Sequence, residues 1–96
     1  MYAGLISGHI QPVRFEEFTE TFSRELLPAI SREHGFKSLY VMQDASQNKI
    51  TLLVMWGTEA EAQGSLEGHL YHRLSEIVEF LDGQSNSETL EVIMRA

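Results

Sequence analysis

The sequence contains no cysteine, only one tryptophan, and just seven basic residues against fourteen acidic ones. Without cysteine there are no disulfides, which suits a reducing compartment. The basic residues Arg14, Arg24, Arg32, Lys37, Lys49, Arg73 and Arg95 are scattered along the chain, and the formal net charge is −7. A nucleic-acid binder needs a basic footprint, and none is visible. No apolar run approaches the roughly 18 residues of a membrane span. The first ten residues, MYAGLISGHI, carry no basic cluster ahead of their short apolar stretch, so no secretory signal is expected and a cytoplasmic location is the default. No G-x-G-x-x-G, phosphate-binding loop or nucleophile elbow occurs, so nucleotide and acyl-enzyme chemistry find no support.

What is present is enough for one core. Residues 1–96 make a single domain, and 43% of them are hydrophobic. A chain of this size buries only about two-thirds of its unfolded surface and is marginal alone. Tyr2 to Ile10 is predicted as a strand, ended by Pro12. Val13 to about Glu33 is predicted as a helix, because Phe15, Phe18, Phe22, Leu26 and Ile30 step by three or four. Pro28 falls inside it and is expected to cost a backbone hydrogen bond and kink the axis. Gly35 is a natural stop. Phe36–Asp44 and Lys49–Gly57 are predicted as a hairpin around the polar stretch 45–48. Thr58 with Glu61 forms a T-x-x-E capping box. The helix it starts is expected to run to about Leu81 with Leu66, Leu70, Leu74, Ile77, Val78 and Leu81 inward, and to break near Gly64–Gly68. Asp82–Asn86 is a loop, and Ser87–Arg95 alternates as a last strand, with Leu90, Val92 and Met94 on one face.

The order βαββαβ is the α+β, ferredoxin-like arrangement, with a four-stranded antiparallel sheet carrying both helices on one face. The third strand is apolar on both sides: Ile50, Leu52, Val54 and Trp56 alternate with Leu53 and Met55. A strand apolar on both faces is buried on both. The chain has no third layer to offer, so a second copy is expected to supply it, giving a homodimer.

The order of elements, the Pro28…Gly35-Phe36 helix exit, and Val54-Met55-Trp56-Gly57-Thr58-Glu59-Ala60 followed by His69 resemble the antibiotic biosynthesis monooxygenase (ABM)-like family. The resemblance spans nearly the whole chain. It implies a dimeric α+β barrel. It also implies, as one possibility, cofactor-independent oxidation of an aromatic polyketide or quinol by molecular oxygen. The family's haem-degrading branch uses an Asn on the first strand and a Trp and His on the second helix. Ungapped matching puts Ser7, Ser65 and Ser75 there, which argues against haem degradation. Some oxygenase members carry an Asn four residues before the strand-end Trp, and here that position is Leu52.

Several residues are candidates for chemistry. Trp56 is either a planar wall for a substrate or a core ring closing the barrel end. His69 matches the family histidine, and an imidazole is the side chain suited to proton transfer near neutral pH, so it is the candidate base; otherwise it is an ordinary helix histidine. Tyr40, Tyr71 and Arg73 are candidates to orient a phenol or quinone oxygen, and Phe22 to line the substrate cavity, though Phe15, Phe18 and Phe22 also suit a plain core. Glu16, Glu17 and Glu20 suit a solvated helix face. His69 and His72 lie three apart, but a metal needs further ligands and only His9 and His34 remain among the histidines, so no metal is expected. No cofactor is expected. Two functions stay open: an oxygenase acting on a small aromatic substrate, or a non-catalytic module on the same barrel that binds a small apolar ligand. Neither a nucleic-acid nor a membrane partner is expected.

Overall fold

The computed structural model describes residues 1–64, 72 and 75–96. Strands β1 (Tyr2–His9), β2 (Phe36–Asp44), β3 (Lys49–Trp56) and β4 (Asn86–Glu91) form one antiparallel sheet in the order β2-β3-β1-β4. This is the ferredoxin-like order expected of βαββαβ. The β2–β3 hairpin closes through Asn48, whose φ of 53° is left-handed. The Ser46 hydroxyl and amide both donate to Asp44 Oδ1, at 2.6 and 3.1 Å. The Ser46 bonds, the hydroxyl's above all, hold the Asp44 carboxyl below its usual range.

The first helix is continuous but not uniform. A 3-10 turn at Pro12–Arg14 leads into α1 (Phe15–Thr21), then a π segment (Phe22–Leu26), then α2 (Leu27–Ser31). The Leu27 N–H donates to the Phe22 carbonyl, five residues back. Pro28 follows directly on the π segment, so the irregularity that the sequence predicts as a kink takes the form of a wider turn inside a continuous helix. The π turn also explains the core stripe. Phe18, Phe22, Leu26 and Ile30 are all buried, at strict four-residue spacing. An α-helix turns about 100° per residue, so over that span the stripe would drift by about 120°. One residue taken up in a wider turn reduces the drift to about 20°. All four side chains then point at the sheet.

Against them β3 presents Ile50, Leu52, Val54 and Trp56, each at most 7% exposed. The helix ends at Ser31, and the turn that follows it closes on Gly35, whose φ is +85°. Its carbonyl accepts from the Gly57 N–H at 3.0 Å, and a Cβ there would overlap the Glu61 carboxylate. Gly35→Ala therefore forces both a left-handed alanine and a displaced Glu61. We expect a loss of at least about 1–3 kcal/mol, read by urea unfolding. An unchanged midpoint would mean that the loop relaxes freely.

The capping box is present: the Thr58 N–H donates to Glu61 Oε1 at 2.9 Å and the Glu61 N–H to Thr58 Oγ1 at 3.2 Å. It opens α3 (Glu59–Gly64). The expected break near 64–68 and the inward leucines 66, 70 and 74 lie outside the described residues. The end of this second helix differs from expectation. Glu76–Phe80 is a 3-10 turn, so positions three apart share a face. Ile77 and Phe80 are buried, and Val78, expected inward, is 55% exposed. Arg14 clamps the turn: its guanidinium lies 4.5 Å from the Phe80 ring centre and donates to the Glu79 carbonyl at 3.0 Å. Leu81 is extended and bridges Ile10.

The last strand is shorter than the alternation predicts. It ends at Glu91 rather than Arg95, because its partner β1 begins at Tyr2, opposite Glu91. No helix among the described residues is long and apolar enough to cross a membrane.

Candidate active site at the Trp56 end of the sheet

Directly opposed residues in an antiparallel ladder share a face. Tyr2 opposes Trp56, and Gly4 opposes Val54, so Tyr2, Gly4, Val54 and Trp56 lie together under the helices. The Trp56 ring is 2% exposed and meets Phe36 edge-on, with centroids 6.3 Å apart. Its Nε1–H is buried and has no hydrogen-bond acceptor among the described residues. It lies beside Gly4, whose missing side chain leaves ordinary contact distance, 3.6 Å from a Cβ to Nε1. An indole N–H in that state is a donor held ready for an acceptor, since burying it unpaired is costly.

Tyr2 supplies the second polar group. Its hydroxyl donates to Glu91 Oε2 at 2.9 Å, across the β1–β4 ladder. That hydrogen bond, then desolvation, then the negative charges of Glu91 and Glu59 push the phenol up to about 12. The proton is therefore held more tightly in the fold than in the unfolded chain, where a tyrosine titrates near 10. The stabilisation this gives is full below pH about 10 and is lost as pH rises through about 12. NMR titration of the Tyr2 ring should place its midpoint near 12, and Glu91→Gln should return it towards 10. A midpoint unmoved by Glu91→Gln would remove Glu91 as the cause.

The candidate residues separate into three groups. Trp56 and Phe22 both belong to the helix-side core, with Phe22 4% exposed and 5.8 Å from the Phe18 ring. Tyr40 opposes Leu53 and so lies on the other face of the sheet, 56% exposed. Within one chain it does not face Trp56. His69, Tyr71 and Arg73 lie outside the described residues. Tyr2, Gly4 and Glu91 were not singled out from the sequence. Matching the first and third strands end to end would have placed Tyr2 opposite Trp56, but residue spacing along the chain gives no such register.

A small void lies between Phe18 and the sheet, bounded by Ile6, Ile10, Ile50, Leu52, Ile77 and Leu81. Its volume is about 20 Å³, room for about one water and far below a ligand pocket of about 300–1,000 Å³. Among the described residues no three His, Asp or Glu side chains converge to hold a metal ion.

No protein-family model matches the chain, and no curated protein matches it. Solved structures do match in fold. A candidate antibiotic biosynthesis monooxygenase from Bordetella bronchiseptica superposes with a TM-score of 0.82 at 14% identity, over 97% of this chain and 97% of its own. A second protein described as an antibiotic biosynthesis monooxygenase gives 0.78 at 12%, over 98% and 100%. A conserved protein from Methanosarcina mazei Go1 gives 0.77 at 17%, over 92% and 88%. The chain thus has the ferredoxin-like α+β fold shared by several proteins that carry the antibiotic biosynthesis monooxygenase name. At these identities the likeness is one of fold, and activity has to be argued from the site.

Proposed function

We propose that this chain is the protomer of a dimeric, cofactor-independent monooxygenase acting on a small phenol- or quinol-type substrate with molecular oxygen. The observation that carries the reading is the buried Trp56 Nε1–H, without an acceptor among the described residues, on a planar ring beside Gly4 and Tyr2. A planar, oxygen-bearing ligand matches both properties: a face to stack and an oxygen to accept the hydrogen bond. His69, placed by family resemblance, takes the substrate's phenolic proton. The electron-rich anion then reacts with oxygen. For a hydroquinone the balance closes without a reductant: hydroquinone plus oxygen gives hydroxyquinone plus water, the substrate supplying all four electrons. Apolar walls from Val54, Phe36 and the helix stripe exclude competing water. Tyr40, on the other face of the sheet, has no part in this chemistry within one chain.

The dimer is part of the proposal. Leu5, Leu53, Met55, Tyr40, Met42 and Leu90 share the sheet face that no helix of this chain covers among the described residues. Tyr40, Met42 and Leu90 are 42–56% exposed there. Two copies packed face to face would bury this apolar surface, in the range above about 1,200 Å² that a specific complex needs. Sedimentation should give twice the 10.9 kDa chain mass; a clean monomer at micromolar concentration would refute the pairing.

The small void favours a second reading, in which the scaffold binds a small ligand without turnover. Oxygen uptake distinguishes the two. Hydroquinones and polycyclic phenols, screened with the purified protein, should include at least one consumed faster than without enzyme. Tight binding with no uptake above background for any of them would transfer the assignment to the binding module.

A further inference from the structure

Acidic residues outnumber basic ones fourteen to seven, so a hollow lined by basic side chains and by no acidic one runs against the composition. Such a hollow lies on the face of the sheet that no helix covers among the described residues. Its volume is about 620 Å³, and Met1, Lys37, Ser38, Tyr40, Met55 and Arg95 line it. A cleft of about 300–1,000 Å³ suits a small organic molecule.

Two cations from opposite edges of the sheet meet there. Ser38 and Tyr40, on the edge strand β2, share a face because they oppose Met55 and Leu53. The ladder skips Lys37 between Phe36 and Ser38. A bulge of this kind re-aims a side chain, and Lys37 lines the same hollow as Ser38 and Tyr40 instead of alternating away from them. Arg95 comes from the other edge. β4 ends at Glu91, and the Val92 N–H bonds to the Met1 carbonyl at 2.9 Å. The chain then passes the end of β1 and brings Arg95 to the hollow.

Neither cation is neutralised. Arg14 and Arg24 pair with Glu17 and Glu20, each at 3.0 Å. No carboxylate pairs with Lys37 or Arg95 among the described residues. The remaining lining is of two kinds. The Ser38 and Tyr40 hydroxyls can each donate or accept a hydrogen bond. The methionines and the Tyr40 ring give a soft apolar surface. A bare inorganic anion would leave that surface and most of the volume unused. A guanidinium matches a carboxylate with two parallel hydrogen bonds, and an ammonium adds a point charge beside it.

We propose that this hollow binds small aromatic carboxylates. Arg95 and Lys37 hold the carboxylate, the ring rests on Met55, and the Tyr40 and Ser38 hydroxyls meet polar substituents on the ring. One chain makes the whole site. It lies on the opposite face of the sheet from Trp56 and is separate from the oxygenase chemistry. The dimer proposed above leaves it room, because twisted sheets packed face to face diverge towards their corners, and the hollow lies at the corner where β2 begins.

Isothermal titration calorimetry on the full chain at low salt tests the site with three probes. 1-Naphthoate is expected to bind. Its neutral amide, 1-naphthamide, is expected to bind at least roughly 10-fold more weakly, and inorganic phosphate to give no saturable heat over the same concentrations. Arg95→Gln and Lys37→Gln are each expected to weaken 1-naphthoate roughly 10-fold, as hydrogen bonds to a charged group are lost. Both side chains are at the surface, and matching circular dichroism spectra would show the variants folded. No binding of 1-naphthoate, equal affinity for the amide, or an affinity unchanged in the doubly substituted chain would each overturn the site. Phosphate binding as tightly as 1-naphthoate would overturn the aromatic ligand. Binding is read without turnover, so any of these failures leaves the oxygenase reading standing, and an absence of oxygen uptake leaves this site standing.

Discussion

Trp56→Ala is expected to cost about 3–5 kcal/mol of stability, the usual loss for a large aromatic removed from a packed core. The ring is 2% exposed, ends β3, and is held edge-on by Phe36. Gly4 on β1 lies against the ring and has no side chain to move into the space. Small domains are stable by only about 5–15 kcal/mol, and each 1 kcal/mol moves the midpoint of a 60–100-residue domain by about 4–8 °C. A fall on the order of 12–40 °C is therefore expected in thermal scans at fixed protein concentration. Trp56→Phe separates packing from hydrogen bonding. It keeps an aromatic ring and removes the buried, unpartnered Nε1–H, so the stability loss should be well below that of alanine. If the indole N–H is reserved for a ligand, the phenylalanine variant should fold well and bind weakly. Equal losses of stability in both variants would assign Trp56 to the core alone.

His69→Ala is expected to lower turnover of an aromatic substrate by roughly 10²–10⁴, the range for a lost acid–base group. The basis is the family resemblance together with the chemistry: a phenol needs a base to become the anion that reacts with oxygen. Glu91 is engaged by the Tyr2 hydroxyl, and Leu52 stands where some oxygenases of the resembling family carry an Asn. The variant should sediment as the parent does. Substrates with lower phenolic pKa values should lose less, since they need the base less. A drop under about threefold, uniform across substrates, would remove His69 from the chemistry.

The fold was legible because its signals are periodic. β3 alternates cleanly, the T-x-x-E box fixes a helix start, and Gly35 fixes a stop. The misreadings come from places where the period changes. Val78 was placed inward on a 3.6-residue count, but the 3-10 turn counts by three and takes Phe80 instead. Val92 and Met94 alternate like a strand, yet a strand needs a partner, and the extent of β1 is a tertiary fact. The site was less legible for the same reason. Trp56 stands out as the only tryptophan, whereas Tyr2, Gly4 and Glu91 become neighbours of one another only through ladder register. Tyr40 lies on the opposite face of the sheet from Trp56, which its spacing from Trp56 in the chain does not reveal.

The π segment at Phe22–Leu26 bears on how this chain is compared with others. A wide turn of this kind holds one residue more than the α-helical turn it replaces. A protein of the same fold whose first helix is α throughout can match this one on both sides of residues 22–26 only if a one-residue gap is opened inside the helix. An alignment that treats the helix as unbroken is out of phase by one position on one side. At 12–17% identity, there are too few matching residues to expose the slip, and Phe18 and Ile30 cannot both find their counterparts in a single frame.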